Sequence, residues 1–345
     1  MVKARKYVVK RQYKGVPKKD DFEIVEYELP PLKDNEILTK TEWISVDPFQ
    51  RTNGHLIEVP FDQFGYQVGL VIQSKNLKYP RGTRIVSMAG WCDYTILNPN
   101  APAEKHHKYY DTTFYKLPDL QGLSVSHGVG AVGMPGASAY FGFLEECKPQ
   151  AGETVVVTGA AGAVGSIVGQ IAKIKGCKVI GFAGSDEKVK WLETELGFDK
   201  AINYKTADVY KALKEAAPEG VDCYFDNVGG ELSSAIISQM RLNGRVTVCG
   251  SISAYNEDGL FDYSTLPKAT VLTPFVLANQ LRIKGFVCAS RPLSRWPEAF
   301  EDITKWIKSG QLKAEETVTE GFDNLYDAFV GMLAGKNFGK AVVKV

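Results

Sequence analysis

The pattern of apolar and polar positions differs between the first third of the chain and the rest. Up to about residue 125, short alternating runs stand between turn signals, as in QVGLVIQS at 67–74 and RIVSM at 84–88, with prolines at 30, 31, 48, 60 and 80. Alternating runs bounded by prolines and glycines are typical of strands with one buried face. The pattern predicts a β-rich unit at the start of the chain.

From Gly152 onward, apolar strand-like runs alternate with segments of helical periodicity. The run TVVVT at 154–158 precedes apolar residues at 164, 167, 171 and 174, which is the spacing of one helix face. Strands are predicted at 154–158, 178–182, 201–204, 222–228, 245–250 and 281–288, with helices at 162–175, 186–196, 207–216 and 231–240 between them. This alternation predicts an α/β fold, with a doubly wound parallel sheet covered on both faces.

A glycine-rich run separates the two patterns. GVGAVGMPG at 128–136 holds four glycines and a proline in nine residues, which indicates a hinge or the start of a domain. Beyond the sheet, the pattern predicts helices at 296–310 and 323–334 and strands at 315–320 and 340–345. A length of 345 residues favours roughly two domains.

Composition and charge exclude several classes of protein. There are 41 Lys and Arg against 40 Asp and Glu, so no bulk charge favours nucleic acid or an anionic membrane. Six cysteines without CxxC spacing do not indicate a disulfide framework. The N-terminus lacks the apolar core of a signal peptide, and the uncharged stretch at 154–172 and the nearly uncharged one at 122–144 are broken by glycines. We therefore expect a cytoplasmic protein that does not span a membrane.

The loop GAAGAVG at 159–165 lies between a predicted strand and a predicted helix. It matches the dinucleotide fingerprint GxGxxG with Ala160 in the first glycine position, Gly162 in the second and Gly165 in the third. Gly162 allows close approach of a pyrophosphate, Gly165 allows the helix to pack on the strand, and the helix N-terminus favours phosphate. The strand and helix on either side make this motif specific for a dinucleotide site.

The end of the second strand of the sheet indicates which dinucleotide binds. NAD sites usually place an acid there for the ribose 2′-hydroxyl, whereas this strand ends in GFAGS at 181–185 and Lys188 follows. Asp186 is a contrary signal, but it belongs to the start of the next helix. The absence of a strand-end carboxylate and the nearby lysine predict NADPH.

Other chemistry is not indicated by the sequence. The cysteines and histidines show no metal-ligand spacing, and His106–His107 lies in a polar, tyrosine-rich loop, so we expect no metal. Tyr210 and Lys214 have the YxxxK spacing of short-chain dehydrogenases, but they follow the third strand, too early for that family. We interpret this pair as part of a helix surface.

Several longer motifs make a family resemblance specific. They are VDPFQR at 46–51, VGMPGASAYFGFLE at 132–145, DNVGG at 226–230, CGSISAY at 249–255 and GKNFGKAVVKV at 335–345. With the glycine loop, they resemble the zinc-free medium-chain dehydrogenase/reductases, and within them the prostaglandin reductase 1 group, also called leukotriene B4 12-hydroxydehydrogenases or alkenal/enone reductases. The resemblance runs nearly end to end.

The resemblance implies the domain organisation and the site residues. A GroES-like catalytic domain would comprise 1–130 and 312–345, with an NADP-binding Rossmann domain at 131–311 and a cofactor cleft between the domains. Tyr255 would be catalytic. The cofactor would be bound by Gly162, Ala163, Val164, Gly165, Lys188, Tyr204, Asn227, Cys249, Gly250, Ser251, Ile252, Ser253, Ala254, Tyr255, Phe286, Val287, Cys288 and Asn337. The group is usually homodimeric, and LRIKGFVC could form the edge strand that joins the subunits.

The implied activity is NADPH-dependent reduction of the C=C bond of small α,β-unsaturated aldehydes and ketones, alkenals, enones and 15-oxo-prostaglandins among them. A quinone reductase on the same scaffold and a non-catalytic NADPH-binding protein are the alternatives. Two departures from the group concern substrate preference, because Phe49 stands where relatives often have Tyr and Tyr66 stands where Gln is expected.

Overall fold

The computed structural model describes residues 2–100, 114–256 and 272–345. These residues form two units. Unit 1 comprises Met1–Gly133, Glu316–Asn337 and Ala341–Val345, and unit 2 comprises Met134–Glu315 and Phe338–Lys340. His106, His107 and most of the loop after Tyr255 lie outside the described residues.

Strands and helices are numbered in chain order. The strands are β1 Val2–Val9, β2 Phe22–Leu29, β3 Ile37–Ser45, β4 Phe61–Asp62, β5 Gln67–Ser74, β6 Arg84–Ser87, β7 Tyr94–Leu97, β8 Phe114–Lys116, β9 Thr154–Thr158, β10 Lys178–Ala183, β11 Lys200–Asn203, β12 Val221–Asp226, β13 Met240–Val248, β14 Arg282–Gly285, β15 Glu316–Glu320 and β16 Lys340–Lys344. The helices are α1 Phe49–Asn53, α2 Met134–Phe141, α3 Ala163–Ile174, α4 Asp186–Thr194, α5 Val209–Ala216, α6 Gly230–Ile237, α7 Thr273–Ala278, α8 Trp296–Lys308 and α9 Leu325–Leu333.

Unit 1 is β-rich, as the alternating runs predict. A seven-stranded sheet has the order β15-β16-β3-β5-β6-β8, with β7 also paired to β3, and a three-stranded sheet has the order β2-β1-β4. Its core is aromatic: the ring of Trp91 lies 5.4 Å from that of Tyr7, 6.0 Å from that of Phe22 and 5.6 Å from that of Phe329. Phe329 comes from α9, so the last part of the chain completes the core that the first part begins.

Unit 2 is built on a six-stranded parallel sheet of order β11-β10-β9-β12-β13-β14. This arrangement confirms the predicted α/β fold. The strand β9 is central, and Val155, Val156 and Val157 are fully buried because helices cover both faces. The helix α3 packs closely against Phe198, which precedes β11: a Cβ on Gly169 would lie 1.9 Å from Cζ of Phe198.

The predicted boundaries shift by a few residues, most of all after α6. That helix ends at Ile237 instead of Met240, because Met240 already pairs with Val221 as the first residue of β13. The strand β14 covers four of the eight predicted residues, since the backbone turns into a 3₁₀ helix at Cys288–Ser290. The uncharged stretch at 154–172 forms β9 and most of α3, and among the described residues no helix is long and apolar enough to cross a bilayer.

Candidate cofactor and active site

The glycine loop connects β9 to α3, as predicted. Gly159 has a φ of +58°, which favours glycine, and Gly162 precedes the first helical residue with extended backbone. A Cβ on Gly165 would lie 2.3 Å from the carbonyl oxygen of Gly159, so only glycine permits this contact between helix and loop. No side chain of the described residues caps α3. Its first N–H groups are therefore placed to bind an anion.

A segment near the C-terminus lies against this loop. The N–H of Gly339 donates to the carbonyl oxygen of Ala161 at 2.9 Å, and Gly339 forms a parallel bridge with Gly162. The ring of Phe338 lies 5.4 Å from that of Trp191 on α4. The sequence resemblance placed Asn337 at the cofactor, but it did not identify these neighbours. Asn337 is half-buried, directly precedes Phe338, and stays a prediction.

Two of the predicted cofactor residues, Lys188 and Tyr204, lie near the end of β10. Ser185 caps α4, since its hydroxyl accepts the N–H of Lys188 at 3.3 Å. The Lys188 ammonium lies 5.6 Å from the centre of the Phe338 ring. Burial, and then the positive charge of Lys205, lower the pKa of Lys188. The hydroxyl of Tyr204 lies 3.2 Å from the point where a Cβ on Gly184 would be.

Sequence reasoning missed Lys205, although its signal was present. A basic residue lies two positions after Asn203, the last residue of β11, at the same edge of the sheet as Lys188. Its Cε also lies 3.2 Å from the point where a Cβ on Gly184 would be. Asp186, the contrary signal, accepts a hydrogen bond from the Asn203 amide at 2.8 Å. Two cations and a tyrosine thus stand where an NAD site would place its acid.

The motif DNVGG forms a hydrogen-bonded turn at the end of β12. The buried Asp226 carboxylate accepts the N–H groups of Val228 and Gly229, both at 2.9 Å, and the Thr158 hydroxyl at 3.0 Å. The side-chain amide of Asn227 donates to the Thr158 carbonyl oxygen at 2.7 Å. Asn227 is therefore held beside the glycine loop, which follows Thr158 directly.

The segment Cys249–Tyr255 follows β13 and turns back on itself. The N–H groups of Cys249 and Gly250 donate to the Asp226 carbonyl oxygen, at 2.8 and 3.1 Å. A 3₁₀ helix at Ile252–Ala254 then brings the Tyr255 ring over the start of the segment. The N–H of Ser251 donates to the Tyr255 hydroxyl oxygen at 3.1 Å. The predicted catalytic residue is thus half-buried at the carboxyl edge of the sheet, where ligands of such folds bind.

The last predicted group, Phe286–Cys288, lies beside the end of β13. The N–H of Phe286 donates to the Val248 carbonyl oxygen at 2.9 Å, and Val287 is 42% exposed. Burial raises the pKa of the Cys288 thiol to about 12, and burial followed by the charge of Asp226 does the same for Cys249. These thiols are protonated at neutral pH. They can line a site, but they are poor nucleophiles.

Within 2–100, 114–256 and 272–345, no group of three or more His, Cys, Asp or Glu side chains is placed to hold a metal ion.

The Tyr210 of the YxxxK pair is 56% exposed on α5, which confirms that the pair belongs to a helix surface. Phe49 and Tyr66, the two departures from the group, contact each other with ring centres 6.3 Å apart.

A doubly wound sheet, a glycine loop at its carboxyl edge and a β-rich second unit define a dinucleotide-dependent oxidoreductase scaffold. Family models agree: residues 163–307 match the model described as zinc-binding dehydrogenase, and residues 5–104 match the N-terminal domain of oxidoreductase.

Comparisons with known proteins narrow the family further. The chain is 45% identical to prostaglandin reductase 1 of Bos taurus over the full length of both proteins. It is 36% identical to the NADP(+)-dependent 2-alkenal reductase of Nicotiana tabacum, covering 100% of this chain and 98% of that one. Among solved structures, CurA of Vibrio vulnificus in complex with NADPH is 32% identical with a TM-score of 0.89, covering 99% of each chain. The chain belongs to the prostaglandin reductase 1 group of the medium-chain dehydrogenase/reductases.

Proposed function

We propose that this protein reduces the C=C bond of α,β-unsaturated aldehydes and ketones with NADPH, and that Tyr255 stabilises the enolate. The chain is an NADP-dependent oxidoreductase of the prostaglandin reductase and alkenal reductase type. The observation that carries the proposal is the Tyr255 hydroxyl at the carboxyl edge of a sheet whose glycine loop and lysines suit NADPH. Alkenals, enones and 15-oxo-prostaglandins are the substrate classes proposed.

The described residues fit NADPH. Gly162 and Gly165 permit a pyrophosphate close to the start of α3, where N–H groups without a side-chain cap favour negative charge. Lys188 in the first turn of α4 and Tyr204 after β11 would bind the 2′-phosphate, because both lie near the end of β10. The remaining predicted residues, Asn227, Cys249–Tyr255, Phe286–Cys288 and Asn337, would line the rest of the cofactor.

When bound, NADPH supplies a hydride, which in this proposal reaches the β-carbon of the substrate. Reduction at that carbon places negative charge on the carbonyl oxygen as an enolate. Tyr255 donates a hydrogen bond to this oxygen, and its own hydroxyl oxygen then becomes more negative. The N–H of Ser251, at 3.1 Å from the hydroxyl oxygen, stabilises that negative charge. A neutral tyrosine is a suitable donor but a poor base at pH 7. The proton for the α-carbon then comes from water or from Tyr255.

An NADPH-oxidation assay over alkenals, 15-oxo-prostaglandins, quinones and simple ketones tests this function. Turnover of the first two classes with little turnover of quinones supports the enone reductase. Preferential turnover of quinones would replace it with the quinone reductase, and NADPH binding without turnover of any acceptor would support a non-catalytic role. Transfer of deuterium from labelled NADPH to the carbonyl carbon would contradict the proposed hydride position.

We also propose that the protein is a homodimer joined through β14. This strand lies at the edge of its sheet, and its four residues are exposed. Ile283 on the strand is 43% exposed, and the nearby Leu277 of α7 is 80% exposed. Sedimentation of the protein and of Ile283→Asp tests the dimer, since a charge on the pairing edge should yield monomers.

A further inference from the structure

The side chain of Asn203 connects two residues of opposite charge. Its amide nitrogen donates to Oδ1 of Asp186 at 2.8 Å, and its amide oxygen accepts the backbone N–H of Lys205 at 3.1 Å. Asn203 is the last residue of β11 and is aligned with Ala183 at the end of β10. The sheet holds Asn203 in place, and the hydrogen bond from the Lys205 N–H to Asn203 therefore fixes the direction of the turn that carries Lys205. The same side chain keeps the Asp186 carboxylate hydrogen-bonded to β11.

Lys205 shares its surroundings with the residues proposed for the 2′-phosphate. Its Cε and the Tyr204 hydroxyl both lie 3.2 Å from the point where a Cβ on Gly184 would be. Burial lowers the pKa of Lys188 most, the charge of Lys205 lowers it further, and the charge of Glu187 opposes both. In the described parts of the chain, the Lys205 ammonium makes no ion pair and no hydrogen bond. Two neighbouring cations repel each other unless an anion lies between them.

We propose that Lys205 is a second cation for the 2′-phosphate of the cofactor, and that Asn203 is a positioning residue that directs Lys205 and holds Asp186 away from the phosphate. This inference rests on the proposed use of NADPH. A phosphate monoester carries a charge between −1.5 and −2 at neutral pH, so two lysines neutralise it better than one. A cofactor without this phosphate gains nothing from the two lysines, because their repulsion is the same before and after it binds.

Calorimetric binding of 2′,5′-ADP and 5′-AMP to the full chain tests Lys205 without turnover. Lys205→Met should weaken 2′,5′-ADP binding by about five- to twentyfold and change 5′-AMP binding by less than about twofold, since a charge-assisted contact to phosphate is lost. Lys211→Met is the matched control, because it removes a charge from the adjacent helix α5, and it should bind both nucleotides as the unmodified protein does. Equal 2′,5′-ADP affinities of the two variants would overturn the role of Lys205.

A second pair of variants tests Asn203. Asn203→Ala should weaken 2′,5′-ADP binding by about threefold or more with little effect on 5′-AMP, and adding Asp186→Ala should recover part of this loss. A merely structural defect would weaken both nucleotides equally, and that result would overturn the positioning role. If the unmodified protein binds both nucleotides equally well, the NADPH proposal itself fails. If it prefers 2′,5′-ADP and Lys205→Met keeps that preference, only the present inference fails.

Discussion

The hydroxyl oxygen of Tyr255 accepts the backbone N–H of Ser251, with 3.1 Å between oxygen and nitrogen. This contact joins residues at the two ends of one 3₁₀ turn, so the tyrosine ring is held by its own segment. A backbone N–H on the phenol oxygen favours the electron-rich form of the hydroxyl. The hydroxyl therefore suits the role of donor to a developing oxyanion.

Tyr255→Phe should lower kcat for an alkenal by about ten- to a hundredfold, since one oxyanion donor is lost while water or a cofactor hydroxyl replaces part of it. NADPH affinity, measured by the fluorescence of the bound nicotinamide, should change little. Tyr210→Phe is the control, because it removes the hydroxyl of an exposed tyrosine on α5. An unchanged kcat in Tyr255→Phe would remove the tyrosine from the mechanism.

The choice of cofactor should depend on Lys188. Lys188→Ala is expected to raise the KM for NADPH about tenfold and to leave the KM for NADH nearly unchanged, because a charge-assisted phosphate contact contributes roughly 1.5–3 kcal/mol. Lys190→Ala, two residues further along α4, is the control. Equal effects of Lys188→Ala on the two cofactors would contradict the assignment.

The lowered pKa of Lys188 adds a pH dependence to this preference. Burial and Lys205 favour the neutral amine, so Lys188 loses its charge at a lower pH than an ordinary lysine. The preference for NADPH over NADH should therefore decline as the pH rises toward the ordinary lysine range. In Lys188→Ala, the ratio of the two affinities should vary less over the same pH range.

The sequence predicted the parts of the site that local rules determine. A strand, a glycine loop and a helix start require only neighbouring residues, and Ser185 as the cap of α4 follows from the same local chemistry. The contact between Asn203 and Asp186 could not be predicted in this way. It depends on the register of β11 against β10, which aligns Asn203 with Ala183, and a register depends on the whole sheet.

The packing of Phe338 shows a second limit of sequence reasoning. This residue is more than a hundred positions from Lys188 and Trp191, and nothing in the spacing of the motifs places them together. The family resemblance predicts the neighbouring Asn337 at the cofactor, but it gives no physical reason for it. The structure does explain why glycine follows Phe338. Gly339 has a φ of +60°, and a Cβ there would lie 2.1 Å from the Glu315 carbonyl oxygen.

The thiols should resist the electrophilic substrates that we propose. Five of the six free cysteines are buried, and Cys249 is partly covered. Burial raises the pKa of Cys92 and of Cys177 to about 11, so about one thiol in ten thousand is ionised at pH 7. A hydrogen bond from Cys223 lowers the pKa of Cys147, but that thiol is fully buried.

Titration with a thiol reagent such as Ellman's reagent checks this prediction. The native protein should react slowly, and the unfolded chain should release all six equivalents at once. Incubation with an alkenal in the absence of NADPH should likewise leave nearly full activity when NADPH is added afterwards. The incubation should last as long as several turnovers take with NADPH present. Rapid modification of a native thiol together with loss of activity would contradict the expected protection.

Metal should not be required for activity. The described residues hold no group of three or more ligands placed around one point, and Tyr255 is proposed to polarise the carbonyl instead. Elemental analysis should find less than one zinc per chain, and chelators should leave the rate of enone reduction unchanged. Zinc bound stoichiometrically and lost together with activity would reverse this expectation.

The contact between α3 and Phe198 should make Gly169 intolerant of any side chain. A Cβ on Gly169 would lie 1.9 Å from Cζ and 2.5 Å from Cε2 of Phe198, and the ring is buried. Gly169→Ala should therefore lower the free energy of unfolding by about 1–3 kcal/mol, as overpacked cores do.

Gly331→Ala in α9 is the matched control, because its nearest neighbour is a flexible lysine carbon at 3.8 Å. That variant should be unchanged or slightly more stable, since alanine favours a helix over glycine by about 0.5–1 kcal/mol. Chemical denaturation of both variants measures the difference, and equal stabilities would show that α3 is not packed as tightly against Phe198 as described.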